Sequence, residues 1–161
     1  MTIHLVRHGD KEPGVFRRDG FGHNDQPLSE SGMLQAGRLR GYFMRRHIES
    51  VYVSEYSRTL QTVEGICADK RISPVTTALV NEIDTGAFEF GEPEDLAAEY
   101  PEVWREYGKT ADRADFKYPG GESGEEIFAR IDEFFKLLFD PIDVAFQIDH
   151  LTVKLKPKNP R

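Results

Sequence analysis

A single cysteine, Cys67, stands among the 161 residues, so no disulfide can form within the chain, and a reducing compartment suits it. Long apolar runs are missing too. No stretch approaches the roughly 20 residues needed to cross a bilayer. The opening MTIHLVRHGD has no cationic segment leading into a long apolar one, so no leader is expected and a cytoplasmic protein is the default. Basic charge is also short. Lys and Arg number 21 against 28 Asp and Glu, a formal net charge of −7, which argues against a protein that works by neutralising nucleic-acid phosphates. Any anionic ligand must then be caught by a few aimed residues. No metal is called for by the histidines. Cys67 is not a Cys-x5-Arg nucleophile, because Ser73 stands where the arginine would be, and it reads as core.

What is present is alternation. Ile3-His4-Leu5-Val6 reads as a first strand and ends abruptly in Arg7-His8-Gly9. The stretch GDKEPGVFRRDGFGHNDQP that follows lacks helical or strand periodicity and is expected to form a surface loop. LSESGMLQAGRLRGYFMRRH then puts Met33, Leu34, Ala36, Leu39 and Phe43 on one helical face, with Ser29 as N-cap and a Leu28/Met33 staple. Val51–Val53 reads as a short buried strand, SRTLQTVEGICA as a helix with Leu60, Val63 and Cys67 inward, and Pro74–Val80 as a strand rich in β-branched residues. PEDLAAEYPEVWREYG predicts two short helical segments, broken before Pro101 and closed by Gly108. GESGEEIFARIDEFFKLLF carries a capping box, Ser123 with Glu126, and an apolar face of Ile127, Ile131, Phe134, Phe135 and Leu138. Asp143–Ile148 reads as a further strand. Strands alternating with helices predict a single α/β domain over residues 1–150, a three-layer αβα arrangement with a mostly parallel central sheet, followed by an edge segment and basic tail over 151–161.

Such sheets bind ligands beyond the carboxyl ends of their strands. Four polar features fall at those ends: Arg7-His8-Gly9, Ser54 to Arg58, Asn81-Glu82 and Asp149-His150. The neutral imidazole of His8, with Gly9 leaving space beside it, is a nitrogen nucleophile able to take a phosphoryl group. Arg7 offers a planar fork for phosphate oxygens. Taken singly, the same three residues also describe a strand end with a solvated Arg and His. Arg58 falls in a first helical turn, where the macrodipole disfavours a cation but favours a phosphate that the arginine could hold; the plain alternative is an exposed arginine at a helix start. Glu82, a carboxyl among arginines, could donate a proton to a leaving alkoxide or simply pair with Arg7 or Arg58. His23 and Asn24 sit in the long loop as candidates to face substrate, whereas His4 and His47 read as structural or solvated.

Taken in order, these segments resemble the histidine phosphatase superfamily, the phosphoglycerate mutase-like proteins. LVRHGD is similar to its signature, PLSESGMLQA to its LT-x-x-G-x-x-QA segment, and VSEYSRTLQT to its S-x-x-x-R-x-x-x-T segment. NEIDTGAFEFG resembles the segment bearing its acid, and YPGGES the stretch before a long helix, the whole covering roughly residues 3 to 139. The resemblance implies the phosphoglycerate mutase-like fold and a cofactor-independent reaction. In it His8 is the phosphorylated nucleophile, Arg7 and Arg58 hold the transferred phosphate beside it, and Glu82 is the proton donor. It also implies a second histidine, and the candidate is His150, 27 residues after Ser123. Asp149 and Leu151 depart from the small residue and glycine that flank the family's histidine.

Three functions are therefore expected. The first is a phosphomonoesterase acting on a small phosphorylated metabolite or phosphoprotein; the others are a mutase-type phosphoryl transfer and a non-catalytic module that binds a phosphate ligand or a protein. The little room for an insertion over the site favours the hydrolase. Arg7, His8, Arg58 and Glu82 favour catalysis, and the neighbours of His150 oppose it. The expected partners are a phosphorylated substrate or inorganic phosphate, with neither nucleic acid nor membrane, and a sheet edge near residues 144–155 leaves a dimer open.

Overall fold

The computed structural model describes residues 2–111 and 113–139. Its elements run α1 (Glu30–Phe43), β1 (Tyr52–Val53), α2 (Ser57–Lys70), β2 (Val75–Thr76), two 3₁₀ turns (Ala78–Val80 and Gly86–Glu89), α3 (Pro93–Glu99), α4 (Pro101–Thr110) and α5 (Gly124–Leu138). β1 and β2 pair in parallel, Tyr52 opposite Val75 and Val53 opposite Thr76, the arrangement a strand–helix–strand crossover through α2 produces. α1 packs along α2, and α5 packs against the first 3₁₀ turn. Leu28, Phe43, Val53, Tyr56, Ile66, Cys67, Leu96 and Phe139 form the buried core, so Cys67 is core as its surroundings suggested.

The expected first strand is the main correction. Among the described residues Ile3–Val6 enters no strand pair, and Leu5 is 82 % exposed. A two-residue β1 offers little ladder, and the other expected neighbour, Asp143–Ile148, lies outside the described residues, as do His150 and the 151–161 segment. The strand expected over Pro74–Val80 is likewise shorter. Thr77 accepts a hydrogen bond from the Leu79 N–H and turns the chain into the 3₁₀ segment Ala78–Val80 after only Val75–Thr76. α4 runs two residues past the expected stop at Gly108, to Thr110.

α1 is capped by Ser29 as expected, but its buried stripe is rotated. Gly32 and Phe43 are buried, while Met33 and Leu34 are exposed, so neither belongs to the inward face. The physical reason is a close approach of two backbones. A Cβ on Gly32 would collide with the Asp10 carbonyl oxygen, so the glycine must face the loop after His8, and Met33 and Leu34 are turned outward. α5 matches its expectation: Ser123 and Glu126 form both halves of the capping box, and Ile127, Ile131, Phe134, Phe135 and Leu138 are all partly buried. Gly32→Ala is expected to lower stability by about 1–3 kcal/mol, at roughly 2–4 °C of Tm per kcal/mol. Gly37→Ala on the same helix, where a Cβ meets nothing within 4 Å, should leave Tm unchanged or raise it. Thermal denaturation of the two variants checks this.

Candidate active site

His8 is positioned by what grips the two residues after it. The Gly9 N–H donates to Thr62 Oγ1 at 3.2 Å, and Thr62 Oγ1 in turn donates to the Arg58 carbonyl at 2.7 Å, one turn back along α2. On the α1 side, Gln35 accepts from the Asp10 N–H at 2.8 Å and donates to Asp10 Oδ2 at 2.9 Å. The Ser29 N–H donates to the Asp10 carbonyl at 2.9 Å, and Ser31 donates to Asp10 Oδ2 at 3.0 Å. A Cβ on Gly9 would stand 2.7 Å from the Gly32 carbonyl oxygen, so no larger residue fits without displacing α1. Held this way, the half-buried His8 places Nδ1 2.7 Å from its neighbour's carbonyl, Gly9 O. A carbonyl only accepts, so in the neutral ring this contact puts the proton on Nδ1 and leaves the Nε2 lone pair free.

Arg58 lies in the first turn of α2 with its side chain only 3 % exposed. Nη2 donates to Glu82 Oε2 at 2.8 Å, and the guanidinium stacks 3.9 Å above the Tyr56 ring. Nη1 makes a long 3.5 Å contact to the Asn24 carbonyl, and Nε is buried with no partner among the described residues. A buried N–H without an acceptor costs roughly 1–3 kcal/mol, and one on a guanidinium at a helix N-terminus marks a place for an anion. The same helix end is braced from the loop. Tyr56, its N-cap, supplies no side-chain bond, but the buried Asp25 carboxylate accepts from the Ser57 N–H at 2.7 Å and from Ser57 Oγ at 2.6 Å while pairing with Arg18 at 3.2 Å.

Glu82 is 53 % exposed on its side chain, and its segment is held from behind. Arg130 on α5 donates to the Leu79 carbonyl at 3.0 Å and the Glu82 carbonyl at 3.3 Å while forking onto the Glu122 carboxylate at 2.7 and 2.8 Å. Glu122 closes the loop by donating its N–H to the Asp84 carbonyl at 2.8 Å. Gly86, with φ of 52°, and Gly121 allow the YPGGES stretch to lie directly on this acid-bearing segment. Lys11, Asn24, Tyr56, Arg58, Glu82 and Glu89 line the cleft that results. Burial, followed by the charge of Glu89, pushes the Tyr56 hydroxyl up to about 12, so it remains a protonated donor at neutral pH.

Of the residues singled out in the sequence, the structure gathers Arg58, Glu82 and Asn24 at one cleft and ties His8 to it through the Gly9–Thr62–Arg58 bonds. Arg7 is exposed and is not among the residues lining that cleft. The side chain of Asn24 holds its own loop, accepting from the Phe16 N–H and donating to the Gly14 carbonyl. His23 packs between Phe21 and Tyr56, with Nδ1 3.9 Å from Asp84. Lys11, Asp25, Tyr56, Glu89 and Arg130 were not legible as site residues, although Asp25 stands just ahead of the PLSESGMLQA motif and Tyr56 just ahead of Arg58. Among the described residues no three His, Cys, Asp or Glu side chains are grouped to hold a metal ion, and no helix is long and apolar enough to cross a membrane.

The model of the histidine phosphatase superfamily (branch 1) matches residues 3–140. The chain belongs to that superfamily. Phosphoserine phosphatase 1 of Hydrogenobacter thermophilus is 30% identical over 137 residues, covering 84% of this chain and 63% of that protein. A 6-phosphofructo-2-kinase/fructose-2,6-bisphosphatase of Caenorhabditis elegans is 29% identical over 133 residues, 81% of this chain but 28% of that protein. The chain therefore spans less than two thirds of either relative. The solved alpha-ribazole phosphatase of Shigella flexneri superposes with a TM-score of 0.66 at 23% identity, over 83% of this chain and 64% of that one, and shows the fold: the phosphoglycerate mutase-like αβα arrangement.

In this member of the superfamily the Arg130 fork, with the Asp84 N–H as a further donor, holds the Glu122 carboxyl below the usual carboxylate range. A depressed folded pKa contributes stability above the unfolded value of about 4.3 and loses it as pH falls through the folded one. The stability advantage of wild type over Glu122→Gln is therefore expected to be full at pH 7 and to shrink steadily below about pH 4.5. Denaturant unfolding of both proteins at several pH values measures it, and a gap that stays constant into acid contradicts the clamp.

Proposed function

We propose that the chain is a phosphomonoesterase working through a phosphohistidine. The observation that carries this reading is the buried Arg58 guanidinium. It has one N–H unpartnered at the N-terminus of α2, Glu82 on another, and the His8 loop bonded to the same turn of helix. His8 Nε2 attacks phosphorus, the N–P bond forms, and the bond to the leaving oxygen breaks as Glu82 gives that oxygen its proton. Water then attacks the phosphohistidine, Glu82 takes a proton from it, and the N–P bond breaks to return His8 and release phosphate.

Arg58 draws on its free Nε–H for the phosphoryl oxygens, where charge spreads in the transition state. An incoming phosphate competes with Glu82 for the guanidinium. The carboxyl so released stands beside the leaving oxygen to which it gives its proton. Arg7 and His150 are assigned by family resemblance as the second arginine and second histidine of the phosphate pocket. Inorganic phosphate is the product ligand, and the substrate is a small phosphorylated metabolite or a phosphoprotein. If the phosphoryl group returns to a second hydroxyl instead of water, the same residues run a mutase, and product analysis separates the two.

His8→Ala should reduce turnover of phosphomonoesters to background with the fold intact by circular dichroism. Residual activity within about tenfold of wild type would sink the phosphohistidine mechanism. Arg58→Ala should weaken inorganic phosphate binding by roughly tenfold or more, since charge-assisted hydrogen bonds are worth about 1.5–3 kcal/mol. Calorimetric titration reads that change. A wild-type chain that binds phosphate but turns nothing over is the non-catalytic module.

A further inference from the structure

Resting on that reading, we infer that the cleft selects phosphomonoesters carrying a second anionic group, a carboxylate or another phosphate, and that Lys11 recognises it. Four charged side chains line the cleft: Lys11, Arg58, Glu82 and Glu89. Arg58 and Glu82 are engaged with each other and belong to the transferred phosphate and its leaving oxygen. Glu89 is engaged as well. Its Oε1 accepts from the Asn24 N–H at 2.8 Å and its Oε2 from Thr85 Oγ1 at 2.8 Å, so both oxygens tie the long loop to the acid-bearing segment. Neither Lys11 nor Glu89 makes an ion pair among the described residues, but Lys11 alone of the four also makes no side-chain hydrogen bond there.

Its backbone, by contrast, is fixed. Lys11 forms an antiparallel bridge with Leu28, and the next N–H, of Glu12, donates to the Pro27 carbonyl at 2.8 Å. Lys11 thus stands on an anchored antiparallel pair in the wall of the cleft. A substrate whose phosphate lies on Arg58 meets two further charges on the remaining wall, and of these the Glu89 oxygens are already hydrogen-bonded while the Lys11 ammonium is not. A substrate with an ammonium tail would have to take Glu89 from two donors already bonded to it, and would meet Lys11 as a like charge.

Four probes sharing one phosphomonoester test this: ethyl phosphate with a neutral tail, phosphoglycolate with a carboxylate, 1,3-propanediol bisphosphate with a second phosphate, and phosphoethanolamine with an ammonium. The kcat/KM of phosphoglycolate or the bisphosphate should exceed that of ethyl phosphate by about tenfold at low salt, mainly through KM, and the advantage should shrink as salt rises. Which of the two gains more identifies the second group. Phosphoethanolamine should show no advantage. Lys11→Gln should bring the ratio of anionic-tail to ethyl substrate close to one, and Lys11→Arg should keep it. A ratio that Lys11→Gln leaves untouched, or a preference for phosphoethanolamine, overturns the inference. The same ratios read as affinities by calorimetry carry the comparison even in a chain that turns over none of the four. Catalytic failure then counts against the phosphatase alone.

Discussion

The structure depends on a backbone-to-backbone contact between the loop after His8 and the start of α1. Gly9 and Gly32 face each other closely enough that a Cβ on either would strike the opposing backbone. Two groups on α1, the Ser29 N–H and Gln35, bond the Asp10 peptide that lies between. Contact this close leaves the loop no room to slide, and Thr62 fixes its remaining N–H to α2. Two helices therefore grip two residues, and the residue just before them is His8. Its orientation follows with no further device than the Nδ1 bond to the Gly9 carbonyl.

The second support works at longer range. Arg130 sits on α5, yet it donates to the carbonyls of Leu79 and Glu82 and takes the Glu122 carboxylate as counter-charge. One planar cation thus links helix, glycine-rich turn and acid-bearing segment, which a lysine with its single ammonium could not reproduce. The capping box at Ser123 matters to the cleft for the same reason: it fixes where α5 begins, and so where Arg130 stands two turns later.

What could be read from the sequence was the set of residues whose roles are local. Ser29 and Ser123 announce caps within four residues, the α5 stripe repeats every turn, and Arg58 sits visibly at a helix start. The αβα class followed from alternation. What could not be read were contacts between segments far apart in the chain: Asn24 meets Glu89 across 65 residues, and Arg130 meets Leu79 across 51. Met33 and Leu34 misled because apolar spacing was weighed without the demand that Gly32 face inward. Ile3–Val6 and Pro74–Val80 read as full strands because β-branched and apolar runs carry no information about whether a partner is aligned beside them. His150 lies outside the described residues, and its reading stays where the sequence left it.

A chain with a net charge of −7 can still be built to catch an anion because charge in a cleft acts over a few ångströms, not over the whole surface. Burying Arg58 to 3 % exposure would be costly for a lone cation. Here the cost is offset three ways: Glu82 on Nη2, the π face of Tyr56 beneath the guanidinium, and the Asn24 carbonyl at long range. None of these reaches Nε. In the proposed reaction the phosphate takes up this guanidinium, and Glu82, its charged partner in the structure, is the group displaced. That partner is a half-exposed carboxylate, which water can solvate once it is released, and in the proposed reaction the group set free is the one that must next carry a proton.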